Sequence, residues 1–100
     1  MGNAAMFVTI LRYLKPLVEI DVFVEAHKQF LQKHYDLGDF IVSGIQVPRN
    51  GGIILVRAET RDAVLHIMSE DPFFKNKVAE YQIIEFNPTR YAKGFERWLS

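Results

Sequence analysis

Three histidines, His27, His34 and His66, are the side chains of this sequence whose charge changes near neutral pH. His27 and His34 are seven residues apart, which puts them on one face of a helix, two turns from each other. That separation is too long for two side chains of one helix to share a metal ion, since the useful spacing there is His-x3-His. No cysteine is present and no cluster of carboxylates stands alongside, so no metal site is expected. His27 is therefore read as a lone imidazole able to take up and return a proton at neutral pH. The plainer alternative is a hydrogen-bonded histidine on an apolar helix face. His66 is read as a solvated helix residue.

Other polar residues have two readings each. Arg12 falls late in an apolar run, where a charge needs a partner. It is either an anchor for an anionic substrate or a strand end reaching solvent or an ion pair. Ser43, just before Gly44, offers a hydroxyl to a ligand, but no nucleophile-elbow pattern surrounds it. Asp71-Pro72 is a well-formed helix start, with the aspartate as N-cap and proline at the first helical position. Capping occupies one carboxylate oxygen and leaves the second for another partner. The Asn50-Gly51-Gly52 run lacks the GxxxxGK[ST] pattern and joins two strands, so it is not a phosphate loop.

The elements that must position these residues follow from periodicity. Met6 to Leu14 is a strand rich in β-branched and aromatic residues, closed by Lys15-Pro16. Ile20, Phe23, His27, Phe30 and His34 recur at three and four, which predicts one helix over Ile20 to Tyr35, stopped by Gly38. Strands follow at Phe40 to Ser43 and Ile53 to Ala58, joined as a hairpin through Gln46 to Gly52. Thr60 caps a second helix whose apolar stripe is Ala63, Val64, Ile67 and Met68. The last strand runs Tyr81 to Phe86, and Tyr91, Phe95, Trp98 and Leu99 follow at helical spacings.

The order β-α-β-β-α-β is the ferredoxin-like pattern, an α+β fold with a four-stranded antiparallel sheet and two helices on one face. One hundred residues, 49% of them apolar and 24% charged, make one domain from residue 6 onward, with residues 1–5 as a flexible leader. Twelve basic residues balance twelve acidic ones, so nucleic acid is not an expected partner. The RNA-recognition motif shares this topology, but the strand IILVRA lacks its aromatic pattern. No run approaches the roughly 18 apolar residues of a membrane span, and no signal peptide opens the chain, so the cytoplasm is the expected location. The central strands carry apolar residues on both faces, and the helices cover only one. A second copy packed sheet to sheet, burying roughly 800 Å² per subunit, would cover the other. The expectation is a homodimer sealed in part by the aromatic tail.

Four stretches resemble the YciI-like (YCII-related) family of the dimeric α/β-barrel superfamily. They are Glu25-Ala26-His27-Lys28-Gln29-Phe30-Leu31, Gly38-Asp39-Phe40-Ile41-Val42-Ser43-Gly44, Glu70-Asp71-Pro72-Phe73, and Ala79-Glu80-Tyr81-Gln82-Ile83-Ile84-Glu85-Phe86. The resemblance extends from Met6 to about Tyr91. It implies a dimer with a pocket near each histidine, and a His–Asp pair of acid–base residues that matches His27 and Asp71. It implies no cofactor. Relatives include a dehydrochlorinase of aromatic breakdown, and many members have no assigned activity. Family members often carry Gly-Pro after strand two, where this chain has Gly44-Ile45 with Pro48 further on.

Two functions follow as expectations. The first is a cofactor-free isomerase, lyase or dehydrochlorinase on a small organic molecule, with His27 and Asp71 catalytic and Arg12 and Ser43 holding substrate. The second is a dimeric, non-catalytic module that binds a metabolite or a protein.

Overall fold

A computed structural model describes residues 5–99. Of the leader expected at 1–5, residues 1–4 lie outside the described residues, and Ala5 already pairs with Ala58 in the sheet. The elements are β1 (Ala5–Tyr13), α1 (Leu17–Asp21), α2 (Val24–Asp36), β2 (Phe40–Ile45), β3 (Gly51–Ala58), α3 (Arg61–Met68), α4 (Pro72–Lys75) and β4 (Ala79–Phe86). The four strands form one antiparallel sheet in the order β2-β3-β1-β4. This is the expected ferredoxin-like α+β fold. No helix among the described residues is long and apolar enough to cross a membrane.

Strand parity decides what each face carries. Phe7, Thr9 and Leu11 of β1 point inward with Ile54 and Val56 of β3 and Ile83 of β4, and all are buried. Phe30 of α2, Phe40 of β2, and Val64 and Met68 of α3 join Phe7, Ile54, Val56 and Ile83 in the main core cluster. Thr9 fits this apolar layer because its hydroxyl donates to the Ile54 carbonyl at 3.0 Å. A second cluster gathers Leu11, Ile20, Phe73, Val78 and Ala79 at the other end of the same layer. On the outer face Val42, Ile53 and Ile84 stay exposed, each by 42% or more.

Three details depart from the sequence expectation. The first helix is two helices, because the chain turns at Val22 and Phe23, where Phe23 takes φ −106°, ψ 5°. The turn lets α1 keep Ile20 fully buried in the second cluster while α2 lays its own face on the sheet. β2 holds a bulge between Phe40 and Val42. Phe40 points inward, and the bulge turns Ser43 inward as well, opposite Ile54, although the two are an odd number of residues apart. The aromatic tail forms only a single 3-10 turn, Phe95–Trp98, preceded by Gly94 at φ 96°.

α2 ends as its sequence predicts. Gly38 takes φ +83°, and its N–H donates to Tyr35 O while the Asp39 N–H donates to His34 O. This paired closure is the Schellman arrangement, and it brings Asp39 back beside the helix. His34 is 3% exposed there, with Asp39 Oδ2 2.8 Å from Nδ1 and Glu70 Oε1 2.8 Å from Nε2. With a carboxylate at each ring nitrogen, the ring is a hydrogen-bonded strut between α2 and the turn after α3.

Glu70 carries a pH signature of this strut. The His34 hydrogen bond first, and the Lys33 ammonium second, hold its carboxyl below the usual 4.5. A carboxyl lowered in the folded state adds stability in full above its unfolded value, and loses it as pH falls through the folded one. Glu70→Gln is therefore expected to be less stable than wild type at neutral pH, with the gap closing as pH drops below about 4.5. Urea unfolding at stepped pH measures this, and parallel curves would count against the strut.

Candidate functional site

The buried group around which the site is built is Asp71, which has no solvent exposure. Its position is local in origin. Pro72 starts α4, and Asp71 caps it, with Oδ1 accepting the Phe73 N–H at 3.1 Å. The same Oδ1 lies 2.8 Å from Nδ1 of His27, on the second turn of α2. Oδ2 accepts the Tyr81 hydroxyl from β4 at 2.6 Å. The sequence reading left one oxygen free for His27. Here the capping oxygen serves both tasks, and a tyrosine that the reading did not single out takes the other. Its signal was parity: Tyr81 shares the inward face with Ile83, and a buried phenol needs a partner.

Three donors around one carboxylate define the protonation pattern. Burial first, and the Asp71 charge second, push the Tyr81 phenol far above its usual range, so it stays a donor. The Phe73 N–H is a donor by nature. With the carboxylate accepting throughout, Nδ1 of His27 carries its proton, and Nε2 is the nitrogen with a free lone pair. The imidazole also stacks on the Phe73 ring at 4.2 Å between centroids, with 15° between planes. One residue pair, Asp71 and Phe73, thus fixes both the edge and the face of the histidine.

His27 lines a recess of about 210 Å³ between α2 and the inner face of the sheet. Leu11, Val24, Leu31, Ile54 and Phe73 form apolar walls, and Lys28, Ser43 and Arg49 add polar groups. Ser43 is brought here by the β2 bulge, with its hydroxyl 2.6 Å from that of Tyr35. Arg12 is not brought here. Strand parity puts it on the outer face opposite Glu80, with which it forms an exposed ion pair, Nε to Oε2 at 2.9 Å. The cations at the recess are Lys28 of α2 and Arg49 of the β2–β3 loop, neither singled out in the sequence. Arg49 is the less expected. Nothing in its local sequence signals this, because the loop reaches the recess only through the hairpin's path. Among the described residues no group of three His, Asp or Glu side chains is arranged to hold a metal ion. Asp39 and Glu70 do not converge, since they take opposite nitrogens of His34.

Removing the Tyr81 hydroxyl would leave Asp71 one donor short in a dry site. Tyr81→Phe is expected to lower stability by about 1–3 kcal/mol, measurable by urea unfolding at neutral pH.

Among curated proteins none matches this chain. Among solved structures, the chain is similar to 5-chloro-2-hydroxyhydroquinone dehydrochlorinase from Burkholderia phenoliruptrix, solved in complex with 2,5-dihydroxybenzoquinone. The two share 17% identity and superpose with a TM-score of 0.68, over 91% of this chain and 97% of the other. At that identity the likeness speaks for the fold, which is the β-α-β-β-α-β layer described above. The sequence itself matches the model of the YCII-related domain over residues 6–87, a span that takes in His27, Asp71 and Tyr81, and the chain belongs to that family.

Proposed function

We propose that this protein is an acid–base enzyme acting on a small planar organic molecule, with His27 as the proton-transfer group and no cofactor. The observation that carries this reading is the Asp71–His27 contact at 2.8 Å, beside an apolar recess that the imidazole lines. Nε2 takes a proton from a C–H or O–H next to a carbonyl or conjugated ring. Asp71 balances the imidazolium that forms, and Tyr81 and the Phe73 N–H keep Asp71 in place. Return of the proton at another position completes an isomerisation. Departure of a halide from the neighbouring carbon completes an elimination, and the imidazolium then gives its proton to water.

The structural neighbour's name gives its substrate as a chlorinated hydroxyhydroquinone, and hydroxylated rings of that kind suit a recess with apolar walls and a few polar groups. Ser43 retains hydrogen-bonding capacity beyond its contact with Tyr35 and serves as a substrate contact. Arg12, on the far face of the sheet, has no part in this reading.

The working unit in this proposal is a homodimer, with no nucleic acid and no membrane as partner. The outer sheet face supports it, since Val42 and Ile53 lie exposed on the adjoining strands β2 and β3, and Ile84 on β4 beyond β1. Burying roughly 800 Å² of such a face per subunit would give a stable pair.

Two measurements test these points. Long-range proton–nitrogen spectra of neutral His27 are expected to show hydrogen on Nδ1 and none on Nε2. Substituted hydroxyhydroquinones are to be screened for chloride release or solvent-deuterium exchange. On any compound turned over, His27→Gln is expected to slow the reaction by roughly 100- to 10,000-fold with the fold intact. Undiminished turnover by that variant, or the opposite tautomer, would leave the recess a binding site only. For the dimer, sedimentation is expected to give twice the chain mass, and Leu55→Lys, in the middle of the outer face, to give single chains. A wild-type monomer at micromolar concentration sinks that part.

A further inference from the structure

The recess carries positive groups and no negative ones. Lys28 and Arg49 line it together with His27, and no aspartate or glutamate is among the lining residues. Asp71 is fully buried behind the histidine. A shallower groove adjoins the recess, sharing Tyr13 and Arg49 with it, and adds Arg12 and Lys15 to its own rim. Arg49 therefore stands where the two concavities meet.

Its position is built. The Tyr13 N–H donates to the Asn50 carbonyl at 2.9 Å, which ties the loop to the end of β1. Gly51 follows, and a Cβ there would sit 1.7 Å from the Leu11 carbonyl oxygen, so no other residue lets the loop approach β1 this closely. The guanidinium donates to Asp21 Oδ1 at 2.7 Å and lies over the Tyr13 ring, 5.8 Å from its centroid. A guanidinium has five N–H donors in a fixed fork, so these contacts aim the group and leave donors for a ligand.

We propose that Arg49 determines substrate specificity by selecting planar molecules that carry an anionic oxygen, a carboxylate or an ionised ring hydroxyl, bound with that oxygen toward Arg49 and the flat skeleton against Phe73 and Leu31. This rests on the recess being the substrate site, and it deepens that reading by naming the charge of the substrate. Lys28 adds positive potential from α2, while its own side chain reaches Glu25 only at 3.4 Å.

The test uses matched charged and neutral probes on the intact protein. Benzoate is compared with benzamide, and 4-nitrophenolate with 4-nitroaniline, by titrating the amide and ring resonances of residues lining the recess. Wild type is expected to bind at least one anion about tenfold or more tightly than its neutral partner, as a charge-assisted fork requires. Arg49→Gln is expected to abolish that preference by weakening anion binding far more than neutral binding, and Arg49→Lys to recover part of it. The favoured pair tells whether a carboxylate or a ring oxygen is preferred. Equal binding of anion and neutral partner by wild type, no saturable shift with either anion, or a preference that survives Arg49→Gln would each overturn the proposal. Because binding is read without turnover, such a failure is separate from any failure of His27 in proton transfer.

Discussion

A carboxylate with no access to water has to be satisfied by the protein alone, and Asp71 is that carboxylate. Leaving an ionised group dry and unpaired would cost several kcal/mol, so each of its contacts contributes to the stability of the fold. The contacts come from α2, α4 and β4, through His27, Phe73 and Tyr81. The layers therefore close only when helix, cap and strand meet at one point. The orientation of the imidazole is a by-product of that closure, since the group that satisfies the buried charge is the one that lines the recess.

The same helix repeats the device two turns later with a different outcome. His34 is more buried than His27, and carboxylates hold both of its nitrogens, so it has no lone pair to offer. His27 has a carboxylate on one side and a recess on the other. Two histidines on one helical face are thus separated, by the number of acceptors around each, into a strut and the group that the proposed reaction uses to carry a proton. Lys33, beside the strut, reaches Glu70 at 3.0 Å and adds to the tie between α2 and the turn after α3.

What could be read from the sequence was what depends on near neighbours in the chain. The alternation along β1 puts Phe7, Thr9 and Leu11 on one face, because parity is local, while the packing of the helices decides that this face is the inward one. Gly38 ended α2, and Thr60 and Asp71 capped α3 and α4, through contacts spanning three residues or fewer. What was not legible depends on distant partners. The break at Phe23 reflects Ile20 seeking a cluster formed by β1, α4 and β4. The bulge that turns Ser43 inward changes parity with no marked residue at the bulge itself. Arg12 and Arg49 were the most telling case: of the two readings of Arg12, substrate anchor or solvent-facing ion pair, the ion pair with Glu80 is what forms, while Arg49, in a polar loop that drew no reading, reaches the recess.

That exchange of arginines follows from how the sheet divides space. A strand residue is bound to a face by its parity, and Arg12 shares its face with Glu80, which neutralises it in solvent. A loop residue has no such restriction, so the hairpin can carry a cation around the end of the sheet to the side where the histidine lies. The constraint is then met at the hinge of that loop, where Gly51 lies against Leu11 closely enough to exclude any side chain. In the proposed reaction the proton group is fixed from within, by a carboxylate buried in the core. The charge that selects substrate is fixed from the rim, by the backbone contact of the hairpin loop with the end of β1. Changes in the loop can therefore alter which molecule enters without disturbing the residues that would act on it.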